Sequence, residues 1–539
     1  MSDAFDTLIR NGLAMDGSGA PGKNADVALR GDRIAAIGDL SSATAKTIVD
    51  ATNCVVCPGF IDAHSHSDAY LLIEPDAPSK VSQGVTTEVV GHCGASAAPL
   101  LGAACLPSDW ASMTYPRLAS AKKSAPEKSA TWSTVAEYRA LFEQVRPAVN
   151  AVLLVGHNTL RAGVMGYAPR EATPAEIADM IRNLEQALDE GCSGLSTGLI
   201  YQPGRFSNAD EITSLAFVTA RRGGFYATHM RSEGARLLEA IDEVLDIGRT
   251  ANIRVQISHL KTSGENNWGK IDDAFARIES AQREGVSVHA DRYPYIAGGT
   301  DLDIVLPEWA ATDGREAVLA RLADAATAAR IAAELDAQRP AHEWNGVMIG
   351  GTVHPDLQRF RGQTLTQVAA ELGLTPGQAL VRIFQRDELR TGGFFFGMSA
   401  TNMRRIFGRP WVMVGSDASI RALQGPLAAD HPHPRAYGSF PKFLRLIQDE
   451  KLMSLPEAVR RCTALPATAF GLQGRGQLAA GAFADVVIFD PAVVRDRATF
   501  AQPHAYAEGV KKVWGNGALC FDNGRCTGIR DGRVLKSAF

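Results

Sequence analysis

Short apolar runs alternate with amphipathic stretches through the middle of the chain. Between several runs, apolar residues return every three or four positions, as in PAEIADMIRNLEQALDEG and KIDDAFARIESAQREG, which predicts helices with one buried face. Near-continuous apolar strands that alternate with helices are typical of a parallel sheet. Eight runs, each ending at a polar residue, therefore predict an α/β fold built as a (β/α)8 TIM-type barrel: VVCPGFIDAHSHSD, TTEVVGHCG, NAVLLVGHN, CSGLSTGLIY, GGFYATHMR, RVQISHLK, SVHADRYPY and WVMVGSD.

The two ends of the chain have a different pattern, in which short alternating segments are separated by glycines. DTLIRNG and DVALRGDRIAAIG near the start, and ADVVIFDP and GVKKVWGNGALCFDNGRC near the end, are typical of strands and turns. The C-terminal strands are too few for a sandwich of their own, so we expect both ends to pair in one small β-sandwich. Cys54 and Cys57 form a CxxC here, but without a second pair nearby a buried structural role is favoured over a zinc ribbon.

The stretch between the seventh and eighth predicted strands is too long for a plain connection, because unstructured loops beyond about 15 residues are uncommon in compact domains. It contains GREAVLARLADAATAARIAAELDAQ, which is rich in strong helix formers. We expect an inserted helical subdomain that either forms a lid or packs passively on the barrel. The predicted organisation is a sandwich part at 1–60, barrel at 61–300, insertion at 301–395, barrel at 396–472 and a sandwich part at 473–539.

Composition and charge narrow the classes of function. With 539 residues, of which 45% are hydrophobic, the chain is long enough for a large catalytic domain plus a smaller one. A formal net charge of −4 and a pI near 6.3 lack the basic excess of nucleic-acid binders and membrane-surface proteins. No apolar run approaches the roughly 18 residues that span a bilayer, and the N-terminal residues predict no secretory signal. Eight scattered cysteines indicate a reducing compartment, so we expect a cytoplasmic protein.

Polar residues at the carboxyl ends of the predicted strands form the candidate functional set, because active sites of TIM-type barrels lie at this end. His64 and His66 alternate after the first strand, so both side chains point into the barrel mouth. Buried imidazoles, a thiol and carboxylates are unfavourable together without a metal, and imidazole with thiolate favours zinc over magnesium or calcium. Seven candidates at five strand ends would converge in the barrel: His64, His66, Asp68, Cys93, His229, His259 and Asp417.

The same motifs resemble those of the metal-dependent amidohydrolase superfamily, and within it the D-aminoacylases, or N-acyl-D-amino-acid deacylases. The HxH motif is common to the superfamily, whereas a cysteine ending the second strand, THMRSE, SHLK and PHPR narrow the match to the deacylase branch. GLSTGLIY on the fourth strand lacks the carboxylated lysine that bridges two metals in many superfamily members, and Cys93 would replace it. The likeness covers nearly the whole chain, including PGFIDAHSHSD, GHCGASAAP, GHNTLR, THMRSEG, ISHLK, DRYPY, GSDA, HPHPRAYGSFP and SLPEAVRRCTALPATAFGL.

The resemblance implies one tightly bound zinc and a weaker or variable second site. Cys93, His229 and His259 would hold the first metal, and the second site would be formed by His64, His66, Cys93 and Asp417. Three protein ligands leave one position for water, as expected of a catalytic zinc. The resemblance further implies that Asp417 is the general base and that either the metal or His66 helps to stabilise the developing oxyanion.

The resemblance also implies a small-molecule substrate whose free carboxylate is bound by Lys261, Tyr293 and Arg435. The alternative role for Arg435 is a surface ion pair. Selectivity for the D hand follows only from the resemblance. Members selective for D-glutamate or D-aspartate carry a basic residue soon after YPY, whereas YPYIAGGTDLDIVLP has none, so we expect a neutral or hydrophobic side chain on the substrate. No nucleic-acid or membrane partner is expected, and the protein is expected to be a monomer or a small homo-oligomer.

Two other functions stay open at this point. The first keeps zinc and barrel but hydrolyses another C–N bond, in a cyclic amide or imide, a dipeptide or a deamination; Lys261 and Arg435 argue for an acyclic substrate instead. The second is a non-catalytic scaffold, which the complete ligand set disfavours. Departures from the family pattern could change the substrate: His92 where asparagine is more common, Ala418 where glycine is usual, a longer loop SIRALQGPLAA, and the segment SDWASMTYPRLASAKKSAPEKSATW, which could overhang the barrel mouth.

Overall fold

The computed structural model describes residues 4–106 and 132–539. The segment expected to overhang the barrel mouth lies, apart from Trp132, outside these residues. Among the described residues, no helix has both the length and the apolar content needed to cross a bilayer. The N-terminal part contributes the strands β1 (Phe5–Arg10), β2 (Leu13–Ala14), β3 (Lys23–Asn24), β4 (Asp26–Arg30), β5 (Arg33–Gly38), β6 (Ala45–Asp50) and β7 (Val55–Pro58).

Alternating strands and helices follow, as the hydrophobic pattern predicts. They are β8 (Phe60–Asp62), α1 (Pro78–Val81), β9 (Val85–Val90), α2 (Val135–Val145), β10 (Asn150–Gly156), α3 (His157–Met165), α4 (Pro174–Asp189), β11 (Gly194–Gly198), α5 (Ala209–Arg221), β12 (Phe225–His229), α6 (Leu237–Ala251), β13 (Arg254–Ile257), α7 (Ile271–Arg283) and β14 (Val288–Arg292).

The insertion and the rest of the barrel come next, and the C-terminal strands end the chain. The insertion holds β15 (Ala297–Asp301), α8 (Arg315–Ala323), α9 (Ala325–Gln338), β16 (Val347–Ile349), α10 (Leu365–Leu372), α11 (Pro376–Asp387) and β17 (Gly392–Phe396). The remaining elements are α12 (Ala400–Phe407), β18 (Val412–Val414), α13 (Arg435–Asp449), α14 (Leu455–Cys462), α15 (Ala464–Ala469), β19 (Val486–Phe489), β20 (Val510–Gly515), β21 (Ala518–Asp522), β22 (Arg525–Cys526) and β23 (Val534–Leu535).

Eight parallel strands of the described chain form a nearly closed barrel in the order β8-β9-β10-β11-β12-β13-β14-β18. In place of a continuous ladder between β18 and β8, a single bridge joins Ser65 to Ala418. Backbone hydrogen bonds run from Ala63 N to Val414 O at 3.2 Å and from Asp417 N to His64 O at 2.8 Å. The predicted (β/α)8 barrel is confirmed, and its seam carries residues of the predicted site.

The first predicted strand is divided between two sheets. β7 pairs antiparallel with β19 in the terminal sheet, whereas β8 pairs parallel with β9 in the barrel. The chain switches sheets at Gly59, where a Cβ would lie 2.1 Å from Thr86 Oγ1, so only glycine allows this close approach. Periodicity alone could not show the switch, because the apolar run continues through it.

The chain ends pair as predicted. One terminal sheet has the order β5-β4-β1-β6, and the other has the order β22-β21-β20-β19-β7-β2-β3, which interleaves strands from both ends. Buried residues of both sheets, among them Ile9, Ile34 and Val486, share one core. The last strand, β23, instead pairs with the barrel strand β10, next to Ala151.

The insertion contains a sheet as well as the expected helices. β15 and β17 pair antiparallel with Gly299 opposite Phe394, and β16 pairs with the other edge of β17. Helices α8 to α11 pack on this sheet around a core of their own that includes Trp344 and Phe384. β15 begins the subdomain and β17 ends it, and β15 follows β14 closely along the chain. The sheet therefore connects the subdomain to the carboxyl end of barrel strand β14.

Candidate metal centre

Four of the predicted ligands converge at the carboxyl ends of the barrel strands. Cys93 Sγ lies 3.4 Å from His64 Nε2 and 3.5 Å from His259 Nε2. His64 Nε2 is in turn 3.3 Å from Asp417 Oδ1. One donor atom from each residue lies within 4.8 Å of the other three, and all four residues are buried: His64 after β8, Cys93 after β9, His259 after β13 and Asp417 after β18.

The other two predicted metal ligands are His229 and His66, and each contacts a different residue of the cluster. His229 ends β12, and its ring meets that of His259 edge to face with 4.4 Å between centroids. Within the described residues, neither ring nitrogen of this buried His229 has a hydrogen-bond partner. His229 Nε2 lies 3.6 Å from Glu233 Oε2, and buried polar atoms are rarely left without a hydrogen-bond partner, so a ring nitrogen of His229 is able to accept a metal ion as its partner. His66 is more exposed, and its Nε2 lies 3.0 Å from Asp417 Oδ1.

The charges of the cluster stabilise one another. Burial acts to raise the pKa of the Cys93 thiol, but the positive charges of His64 and His259 bring it well below its ordinary value. Burial likewise opposes ionisation of Asp417, yet Arg435 and His259 hold the pKa of this carboxyl well below its usual range. The site therefore presents a thiolate and a carboxylate beside imidazole rings. This combination of donors fits zinc.

Two carboxylates of the site were missing from the predicted residues. Glu233 Oε1 lies 2.8 Å from His259 Nδ1, and Asp291 Oδ1 lies 3.1 Å from His64 Nδ1. Carboxylates in this position orient metal-ligating imidazoles and fix their tautomer. Both stand inside motifs that the sequence displays, HMRSE and DRYPY. The positions of Glu233 and Asp291 in the sequence do not predict that each carboxylate lies beside a histidine from another strand.

The three predicted carboxylate-binding residues surround the cluster. Lys261 Nζ lies 2.7 Å from His259 Nδ1 and pairs with Glu233. Arg435, the first residue of α13, donates from Nη1 to Asp417 Oδ2 at 2.6 Å. The Tyr293 hydroxyl is buried, and in the described part of the chain it has no hydrogen-bond partner. The two cations thus have acidic partners within the protein, whereas the Tyr293 hydroxyl has none.

A cavity of about 690 Å³ leads from the cluster to the insertion. His66, Asp417 and Arg435 line it on the barrel side. Gly299 of β15 and Phe394 of β17 line it on the insertion side. The insertion therefore forms a wall of the cavity in which a substrate would lie.

Asp68 and His92 have other surroundings. Asp68 Oδ2 accepts a hydrogen bond from Ala97 N at 2.7 Å, which ties it to the loop after Cys93 rather than to the metal cluster. The fully buried His92 ring stacks on His64 with 4.1 Å between centroids. Burial and the nearby His64 hold the pKa of His92 well below its ordinary value, so the ring is neutral.

Comparison with known proteins agrees with this geometry. The amidohydrolase family model matches residues 47–521. The D-aminoacylase of Alcaligenes xylosoxydans xylosoxydans is 39% identical to this chain, over 99% of the chain and 98% of the relative. The chain belongs to the amidohydrolase family, within its D-aminoacylase branch. The family resemblance inferred from the motifs is confirmed, and the protein is a metal-dependent amidohydrolase of the N-acyl-D-amino-acid deacylase type.

Solved structures of this amidohydrolase branch have the same fold. The N-acyl-D-glutamate deacylase of Bordetella bronchiseptica, complexed with zinc and a phosphonate mimic of the tetrahedral intermediate, superposes with a TM-score of 0.81 at 36% identity, over 99% of this chain and 100% of that one. A D-aminoacylase described by one-metal activation and second-metal attenuation gives a TM-score of 0.80 at 37% identity, with the same coverage. Relatives named for different substrates match this chain: an N-acyl-D-glutamate deacylase at 38% identity and an N-acyl-D-aspartate deacylase at 35%, both from Alcaligenes xylosoxydans xylosoxydans and over 99% and 98% of this chain.

Proposed function

We propose that the protein uses zinc to hydrolyse the amide bond of N-acyl-D-amino acids, releasing a carboxylic acid and a D-amino acid. The observation that carries the proposal is the buried convergence of Cys93, His259 and Asp417 at the barrel mouth. It occurs in a chain that is similar to a D-aminoacylase over its full length. No feature of the described site favours a cyclic amide or a deamination over an acyclic amide.

Cys93, His229 and His259 would hold the tightly bound zinc, and His64, His66 and Asp417 would share Cys93 in a weaker site. A bound zinc supplies a water of lowered pKa and polarises the scissile carbonyl. Glu233 and Asp291 accept from the outer nitrogens of His259 and His64, which keeps both rings turned toward the cluster.

Asp417 acts as general base and then as general acid in this proposal. Its lowered pKa keeps the carboxylate ionised before the reaction. Arg435 occupies Oδ2 at 2.6 Å, so Oδ1, beside His66, is the oxygen that takes the proton of the attacking water. Asp417 then delivers this proton to the leaving nitrogen. His66, at the cavity wall, donates to the developing oxyanion.

The substrate carboxylate would be bound by Lys261, Tyr293 and Arg435. The Tyr293 hydroxyl has no hydrogen-bond partner in the described chain, so it can donate to a carboxylate without breaking an existing bond. Arg435 Nη2 donates to Gly299 O at 3.0 Å, so its guanidinium is already fixed in one orientation. A pre-oriented guanidinium loses less side-chain entropy when it binds a carboxylate.

A neutral or hydrophobic substrate side chain is the preference we propose. β15, which directly follows YPY, contributes Gly299, Thr300 and Asp301 to the cavity and no cation. Besides Arg435, three arginines line the cavity, and each is engaged within the protein. Arg421 Nε donates to Asp430 Oδ2 at 3.0 Å. The other two donate to backbone carbonyls. Arg361 Nη1 donates to Ala429 O at 2.9 Å, and Arg390 Nε donates to Asp387 O at 3.0 Å.

The experiment is hydrolysis of paired N-acetyl-D and N-acetyl-L amino acids, both hydrophobic and acidic, by zinc-loaded protein beside a chelator-treated control. Zinc-dependent release from the D-leucine, D-methionine or D-phenylalanine derivatives is the expected result. Faster release from the D-glutamate or D-aspartate derivatives would overturn the side-chain preference. Inactivity on every pair, with zinc bound, would overturn the proposed reaction.

A further inference from the structure

A lysine is buried beneath the seam where the first and last barrel strands meet. Lys80, in α1, has a side chain with 0% exposed surface. Burial lowers the pKa of Lys80, but Asp62 and Glu88 raise it above its ordinary value, so the ammonium group stays charged. Five oxygens surround Nζ: Asp62 Oδ2 at 2.8 Å, Glu88 Oε1 at 2.8 Å, Ser416 Oγ at 2.8 Å, Ala418 O at 2.9 Å and Ser65 Oγ at 3.2 Å.

These contacts reach the immediate neighbours of three predicted site residues. Ser65 stands between His64 and His66. Ser416 and Ala418 flank Asp417 on the other side of the seam. One ammonium group therefore connects the HxH segment to the segment that carries the proposed general base, without touching a predicted ligand itself.

In the described chain, three backbone hydrogen bonds cross this seam: Ala63 N to Val414 O at 3.2 Å, Asp417 N to His64 O at 2.8 Å and His66 N to Ala418 O at 3.4 Å. Between β18 and β8 the described residues form one isolated bridge in place of a ladder. The carboxylates that pair with Lys80 add side-chain contacts to this seam. Asp62 Oδ1 accepts from Ser416 N at 2.8 Å across the seam, and Glu88 Oε1 accepts from Ser65 Oγ at 2.6 Å on the β8 side. Charge-assisted hydrogen bonds in a buried site are strong and directional, so the network fixes the distance across the seam.

We propose that Lys80 is a positioning residue, which sets Asp417 relative to His64 and His66 and thereby assembles the general base and the weaker metal site. Of the ligands proposed for the tight site, His229 and His259 lie at the ends of β12 and β13, which carry no partner of Lys80. Cys93 follows β9, five residues beyond Glu88, so we expect the tight site to be less sensitive to Lys80 than the weaker site. The effect on turnover rests on the proposed function. The effect on metal binding does not, because it is measured without substrate.

The decisive variant is the double substitution Lys80→Met with Glu88→Gln, in which the second change removes a buried carboxylate that would otherwise lose its cation. Zinc titration should show one tightly bound ion retained and the affinity of the second site lowered by about 10–100-fold, the effect typical of losing an outer partner of a metal site. The kcat should fall by a similar factor while KM changes less than about threefold, because substrate-binding residues are untouched.

Ser416→Ala is the second variant, since it preserves every buried charge while deleting one contact of Lys80 together with the longer hydrogen bonds of Ser416 Oγ to His64 O at 3.4 Å and from Ala418 N at 3.3 Å. It should weaken the second zinc site in the same direction, by a smaller factor. The matched control is Arg475→Met with Asp485→Asn, which removes a buried ion pair of the terminal sheets whose side chains are 3% and 4% exposed. The control should lower Tm and leave kcat and both zinc affinities unchanged.

Three results would overturn the positioning role. The first is a folded double variant with the second-site affinity and kcat of the unmodified protein. The second is equal loss of both zinc ions, which would show general unfolding of the barrel. The third, which decides the matter if the double variant does not fold, is an unchanged second-site affinity in Ser416→Ala. Absence of any deacylase activity in the unmodified protein would instead remove the proposed function, and the zinc titrations would still test Lys80.

Discussion

Three of the clustered residues have a backbone conformation that is uncommon for residues other than glycine. Cys93, His259 and Asp417 have φ of 53°, 38° and 50°. Left-handed backbone at such residues costs about 1–3 kcal/mol and persists where the surrounding structure enforces it. Each residue comes directly after a strand, so the turn aims its side chain across the barrel mouth. Hydrophobic periodicity could predict that these residues follow strands, but it carries no information on φ, so it could not predict how closely the donor atoms meet.

Asp417 provides the first test at the scale of single residues. Asp417→Ala and Asp417→Asn should lower kcat by about 10²–10⁴-fold, the usual contribution of a general base. The tight zinc should stay bound, because Cys93, His229 and His259 are unchanged. Turnover of an N-acetyl-D-amino acid and zinc content per chain are the measurements. Undiminished turnover in a zinc-loaded variant would remove Asp417 from the mechanism.

Glu233 provides the second test, because it is one of the two carboxylates that were missing from the predicted site residues. Glu233→Gln keeps the size of the side chain but weakens its hydrogen bond with His259, so zinc affinity should fall by about 10–100-fold. Competition with a chromogenic chelator measures the affinity. The control is Glu243→Gln, in a partly exposed pair with Arg231 at 2.9 Å, which should leave zinc affinity unchanged. Equal affinities in both variants would contradict the orienting role.

At the scale of elements, helices were predicted more completely than sheets. Amphipathic periodicity predicted α4, α6 and α7 because each buries one apolar face within a continuous segment. The sheet of the insertion was not predicted, since β15 and β17 are short, glycine-rich and separated by most of the subdomain. Their pairing depends on contacts distant in sequence, which local pattern does not reveal.

An aromatic cluster attaches this sheet to the loop before Arg435. The Phe500 ring lies 5.5 Å from Phe394 of β17 and 4.8 Å from His433, centroid to centroid. His433 Nδ1 accepts from Arg435 N at 3.0 Å. Phe500 therefore connects the cavity wall formed by the insertion to a proposed carboxylate-binding residue.

Phe500→Ala should loosen this wall. Each aromatic pair contributes about 0.5–1.5 kcal/mol, so KM should rise by about 3–10-fold with little change in kcat or zinc content. Hydrogen exchange in β15 and β17 should become faster. Phe217→Ala is the control, because that side chain is 50% exposed on α5. If KM and exchange are the same in both variants, the cluster does not hold the wall.

For the whole molecule, the sequence predicted that the two chain ends pair, but it did not predict the buried network of Lys80 that joins the first and last barrel strands. The C-terminal strands were too few to form a sandwich of their own, which correctly predicted that the two ends pair. The burial and the role of Lys80 could not be predicted, since a lysine in a segment such as APSKVSQG is typical of an exposed helix. Its burial follows from two carboxylates, Asp62 and Glu88, that reach it from neighbouring barrel strands. The closure of the barrel and the assembly of the site are therefore parts of one network.

Global stability should depend on pH through His289 of β14. Burial, and then the positive charge of Arg460, lower its pKa from 6.5 to about 4. The unfolded chain therefore binds a proton at His289 near pH 6.5, whereas the folded protein binds it only near pH 4. The contribution of His289 to the free energy of unfolding is complete above pH 6.5 and is lost as the pH falls toward 4. For a half-buried ring, we expect this loss to be about 1–2 kcal/mol.

His289→Gln should remove this contribution, so that its free energy of unfolding declines less steeply between pH 6.5 and pH 4. Urea denaturation of chelator-treated protein measures the free energy without a contribution from metal release. Other buried histidines with lowered pKa, His92 and His433, still titrate in the variant, so the slope should decrease rather than vanish. His342→Gln is the exposed control. Parallel curves for the two variants would mean that His289 is as easily protonated in the folded protein as in the unfolded chain.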